Sequence, residues 1–177
     1  MPVPDKFSRF ERAILPHLDA AYNLARWLMR NEDEAADAVQ DACLRALRFI
    51  GGFRGGDGRV WLLAIVRNTC YSRLTRGAIR ESETEFDDEI HGPEIETANP
   101  ETLLERSRNS ETLRHALEDL PEEFREIVVM RELEGMAYKE IADVAGVPIG
   151  TVMSRLARAR KRLQQVLTAA PPKDSLK

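Results

Sequence analysis

The chain has 177 residues, of which 43% are hydrophobic and 6% aromatic, with a formal net charge of −4. That length suits one or two small domains, and two cysteines exclude a disulfide-built scaffold. No apolar run reaches membrane-spanning length and the opening MPVPDKFSRF has no signal-peptide core, so a cytoplasmic protein is expected. No run alternates β-branched and polar residues, so the predicted fold is all-α.

The first predicted helix covers Phe7–Arg30, with a joint at Pro16 and an apolar face of Leu18, Tyr22, Ala25, Leu28 and Met29. Asn31 followed by Glu34 resembles a capping box and opens a second helix. There Ala35, Ala38, Val39, Ala42, Cys43, Ala46 and Leu47 form a stripe of small and medium residues, suited to close helix packing. The opposite face carries Asp33, Asp37, Gln40, Asp41, Leu44 and Arg48. Such a face is either simply solvated or able to dock a basic partner helix.

Phe49 to Trp61, FIGGFRGGDGRVW, is too glycine-rich to be helical throughout. It lacks the glycine-lysine-serine/threonine ending of a phosphate-binding loop, and no strand precedes it. The next helix, Trp61–Arg76, mixes Trp61, Tyr71, Arg67, Arg73, Arg76 and Asn68. Aromatics with cations and an amide are what single-stranded nucleic acid binding uses, although core packing is the simpler role for Trp61. Cys43 and Cys70 fall inside predicted helices as reduced core residues. His17, His91 and His115 show no zinc-ligand spacing with them, so no metal or cofactor is expected.

Glu81 to Glu105 contains ten acidic residues and no lysine or arginine, and Gly92-Pro93 and Asn99-Pro100 break any helix there. The chain thereby divides into a front domain (1–78), a flexible acidic linker (79–108) and a back domain (109–170). Tyr138–Leu163 then reads as a helix-turn-helix. Ile141, Ala142 and Ala145 make a narrow apolar face, and Gly146 stops the helix in a left-handed turn. Val147 drops inward and Pro148 fits the next helical start. Val152, Leu156, Ala159 and Leu163 line the inside, leaving Thr151, Ser154, Arg155, Arg158 and Lys161 or Arg162 outward. No acidic residue lies between Asp143 and Asp174. Such a basic helix is either a solvated end whose cations complement the helix dipole or, joined to this turn, a helix suited to a DNA major groove.

DEAADAVQDACLRALRFI, the glycine loop, VWLLAIVRNTCYSRL and LEDLPEEFREIVVMRELEGMAYKEIADVAGVPIGTVMSRLARARKRL together resemble bacterial extracytoplasmic-function (ECF) sigma factors. That group is the two-domain branch of the primary sigma family, and the likeness spans about Phe7 to Leu167. The resemblance implies an alternative sigma factor that guides RNA polymerase to promoters, with no catalytic residue, metal or cofactor of its own. It implies docking of Asp37, Gln40, Asp41 and Leu44 on the β′ coiled coil of core RNA polymerase, with a second contact at the β flap. It places Phe53, Arg54, Asp57, Trp61, Arg67 and Asn68 at the melted −10 element. It places Gly150, Thr151, Met153, Ser154, Arg155 and Arg158 at the −35 element. Many relatives carry a basic residue where this chain has Met153, and some an aromatic where it has Ala157. An anti-sigma factor that covers these faces is the implied regulator.

Two other classes fit parts of the sequence. A stand-alone helix-turn-helix regulator would use the back domain alone, but the front domain shows no ligand-pocket or phosphoacceptor pattern. A magnesium-dependent nuclease could use Asp33, Asp37 and Asp41, one helical turn apart, but no catalytic base accompanies them.

Overall fold

The computed structural model describes residues 5–83 and 103–169. Every regular element among them is helical. The stretch 84–102, most of the expected acidic linker, lies outside the described residues. Helices enter the expected linker from both sides, because α4 (Gly58–Glu83) continues past residue 78 and α5 begins at Leu103.

In the front half, α1 (Lys6–Ala13) is capped by Asp5, whose carboxylate accepts the Phe7 amide at 2.7 Å. The expected joint is a single 3-10 turn, Leu15–His17, with Pro16 inside it. Then α2 (Leu18–Met29) ends at Arg30, which adopts a left-handed conformation (φ 59°). Asn31 caps α3 (Glu32–Phe49): its side-chain oxygen accepts the amides of Asp33 and Glu34 at 2.9 and 3.1 Å.

The small-residue stripe is a true seam. Ala35, Ala38, Ala42 and Ala46 are fully buried, and α2, α3 and α4 all pack against one another. Leu24, Leu28, Leu62, Leu63, Val66 and Cys70 fill the space between them. Burial pushes the Cys70 thiol up to about 12, and both cysteines are free.

Gly58 has a different reason to be glycine from its neighbours. A Cβ there would lie 2.1 Å from the carbonyl oxygen of Ala13, whereas one on Gly52 would meet nothing within 4 Å. Gly58→Ala should therefore destabilise the chain by about 1–3 kcal/mol in chemical denaturation, with Gly52→Ala as the silent control. Equal midpoints for the two variants would refute this account of the α1–α4 approach.

In the back half, α5 (Leu103–Glu118) leads to α6 (Glu122–Val128). The latter widens into a π turn, Val129–Leu133, where the Glu134 amide reaches back to the Val129 carbonyl at 3.1 Å. After it come α7 (Tyr138–Ala145) and α8 (Ile149–Ala169). Phe124, Ile127, Met130, Met136, Ile141, Val152 and Leu156 form this half's core.

The halves are not independent in space. Helix α4 packs on α7 and α2 on α6, so the buried side chains of both halves form one continuous cluster.

Candidate nucleic-acid interface

The helix-turn-helix follows from local chemistry. Glu140 accepts the Ala137 amide at 2.9 Å, fixing the start of α7. Gly146 takes φ 67° and returns its amide to the Ala142 carbonyl at 2.9 Å, and Val147 donates to the same oxygen at 3.2 Å. The Pro148 carbonyl then accepts the amides of Thr151 and Val152 at 3.0 and 3.2 Å, which starts α8. Val152, Leu156 and Ala159 are buried and Leu163 is half-buried, as their spacing predicts.

The first turns of α8 are open to a ligand. Gly150, Ser154 and Arg158 are exposed, Met153 is 52% exposed and Thr151 is half-buried. Arg155 is more restrained, lying 3.6 Å from Glu123 of α6 with 23% of its side chain exposed. Farther along, Arg160 pairs with Glu132 at 2.6 Å and Arg162 lies 5.0 Å above the Phe124 ring.

In the front half, the glycine loop begins with a 3-10 turn, Ile50–Gly52, and Gly55 and Gly56 take φ 84° and 103°. Phe53 packs on Trp61 at 5.2 Å between ring centres, and the Phe53 carbonyl accepts from Arg9 at 2.6 Å. Both rings are half-buried against the core, while Arg54 is exposed. Asp57 accepts the Arg59 amide at 2.9 Å, as a cap for α4 does. Slight burial pushes its carboxyl up, but hydrogen bonding with Glu140, Arg59 and Val60 outweighs that and holds it below the ordinary carboxylate range.

Adjacent residues of α4 then diverge. Asn68 is exposed and opens on a groove of about 630 Å³ between α3 and α4, lined also by Arg45, Tyr71, Ser72, Thr75 and Arg76. Arg67 turns the other way, onto Glu126 of α6.

On the acidic face of α3, Asp37 and Gln40 are exposed and Leu44 is 63% exposed. Asp41 is partly turned inward, 3.5 Å from Arg45 and 3.8 Å from Arg73. Among the described residues no cluster of His, Cys, Asp or Glu could hold a metal ion. No described helix is long and apolar enough to cross a membrane.

Sequence reading gave no role to Glu126, Arg125, Asn23 or Glu134, which join the halves. Arg125 is fully buried and donates to the carbonyls of Leu117, Glu118, Leu120 and Trp27. The one available signal was a pair of charges, Arg125-Glu126, embedded among Phe124, Ile127 and Val128.

The sequence that builds these surfaces matches two domain families, one in each half. Sigma-70 region 2 matches residues 13–79 and sigma-70 region 4 matches residues 110–163. The RNA polymerase sigma-H factor of Pseudomonas aeruginosa is 32% identical over 89% of this chain and 86% of its own. The ECF sigma-E factor of Escherichia coli is 34% identical, covering 73% of this chain and 72% of its own. The chain belongs to the ECF sigma factors. It is thus an alternative sigma factor, a protein of transcription initiation.

The ECF factor SigE of Mycolicibacterium smegmatis is 35% identical over 89% of this chain, which spans only 61% of that relative's length. Among solved structures, the sigma factor RpoE of Bartonella quintana, in complex with the anti-sigma factor NepR, superposes with TM-score 0.73. It is 27% identical and covers 91% of this chain and 98% of its own. CnrH, in complex with the cytosolic domain of CnrY, superposes with TM-score 0.59 at 26% identity, covering 91% and 88% of the two chains.

Proposed function

We propose that this sigma factor acts in the cytoplasm as a dissociable, non-catalytic subunit of RNA polymerase, reading both promoter elements at once. The α3 face of Asp37, Gln40, Asp41 and Leu44 docks on the β′ coiled coil, and the back half engages the β flap. Phe53, Arg54, Asp57, Trp61, Arg67 and Asn68 receive the opened −10 strand. Unstacking costs a few kcal/mol per base step, and a base-capturing pocket offsets part of it. Gly150, Thr151, Met153, Ser154, Arg155 and Arg158 meet the −35 element. Arginines there fix register on phosphates and read base edges, while Met153 offers an apolar contact.

The observation that carries this reading is a single chain with two surfaces suited to nucleic acid. One is the exposed first turns of α8; the other is Asn68 beside its groove between α3 and α4. Run-off transcription tests it. Core polymerase supplied with the chain should start transcripts at promoters that core polymerase alone ignores. Complete failure at every promoter, with any regulator removed, would sink the reading.

An anti-sigma factor is the proposed regulator, because the similar structures are of RpoE with NepR and CnrH with CnrY. Capture of the chain from native cells should bring down a small regulator; repeated recovery of polymerase alone counts against it.

A further inference from the structure

The Arg67 guanidinium is already occupied. Its Nε and Nη2 donate to the two carboxylate oxygens of Glu126 at 2.7 and 3.2 Å, and it lies 4.4 Å above the Tyr71 ring. The Glu126 side chain is fully buried and that of Arg67 is 18% exposed. Two parallel donors on two oxygens is the geometry a guanidinium also offers to phosphate. Burial raises the Glu126 carboxyl above its ordinary range despite the opposing pull of Arg67.

The rim of the same interface is polar too. Asn23 donates to the Glu134 carboxylate at 2.8 Å, Arg59 donates to the Glu134 carbonyl at 3.1 Å, and Arg59 lies 3.5 Å from Glu140. These contacts join α2 and α4 of the front half to the turn after α6 and to α7, the first helix of the helix-turn-helix.

We propose that Glu126 stands in for a DNA phosphate on Arg67, latching the two halves together in the chain alone and withholding Arg67 from the promoter strand. This rests on the reading of Arg67 as a −10 contact. The chemistry makes the latch reversible. Desolvating both ions offsets much of their attraction, and on opening each regains water. A strand that offers Arg67 a phosphate without that desolvation biases the chain toward the open state. The occupied and DNA-bound states of Arg67 exclude each other, so opening precedes strand capture.

The test uses the full-length chain with two variants. Glu126→Ala removes the latch, and Asn23→Asp sets a second carboxylate against Glu134 at the rim. Small-angle X-ray scattering should show a larger radius of gyration for each. Titration with purified core polymerase, without any regulator, should show affinity raised roughly tenfold. Should Glu126→Ala fail to fold by circular dichroism, Asn23→Asp decides alone. An unchanged radius in a folded variant overturns the latch, and so does expansion with no gain in affinity. The scattering measurement needs no polymerase, so the latch can fail while wild-type run-off transcription still succeeds, and the reverse.

Discussion

Arg125→Met should remove about 3–5 kcal/mol of folding stability, because it strips the donor from several buried carbonyls at about 1–3 kcal/mol each. Marginal domains hold about 5–15 kcal/mol in total, so this is a large fraction. The reason lies in what the guanidinium touches. Leu117 and Glu118 end α5 and Leu120 follows it, while Trp27 belongs to the last turn of α2. The last carbonyls of a helix have no internal partner and carry the negative end of its dipole. Arg125 donates to these at 3.0, 3.0, 2.6 and 2.9 Å, in that order, so one cation closes two helix ends. Burial pulls its pKa below the ordinary guanidinium value, yet an arginine stays charged. Methionine fills similar volume but donates nothing and leaves those carbonyls unpaired. Lysine keeps the charge with fewer donors and should fall between. Urea unfolding measures the series; a Met variant within 1 kcal/mol of wild type would show that water replaces the network at no cost.

Leu44→Asp should weaken binding to core polymerase by about 30-fold or more while leaving the fold intact, the usual size of a central hot-spot loss. Leu44 is 63% exposed, so its replacement disturbs no core contact. Exposed Asp37 and Gln40 share its face, an apolar anchor within a polar rim. Asp41 contributes less freely, because Arg45 and Arg73 partly neutralise it. A new carboxylate at the anchor would be stripped of water against the partner without a positioned cation. Titration of labelled polymerase gives the affinity, and circular dichroism confirms the helices. Undiminished affinity would move the docking surface elsewhere on the chain.

Where sequence reading succeeded, the cause was local. The Asn31 cap, the alanine stripe, the left-handed Gly146 and the inward Val152, Leu156 and Ala159 each follow from residue type and helical spacing. The exposed turn around Gly150 and Ser154 was legible for the same reason. Where it stopped, the cause was distance along the chain. Arg67 and Glu126 are 59 residues apart, and Arg125 and Trp27 are 98 apart. In a helical pattern a charge that faces water and a charge that faces another half look alike. In sequence Gly58 is one more glycine of a glycine-rich loop, while its constraint in the fold is the Ala13 carbonyl, which no local pattern reveals. The early start of α5 was hidden by the acidic composition around it.

The alanine seam of α3 has one more effect. Ala35, Ala38, Ala42 and Ala46 have no rotamers to change, so along this seam the helix meets its neighbours through single methyl groups. The same seam packs α3 directly on α4, so the exposed Leu44 face and the groove at Asn68 sit on two helices locked side by side.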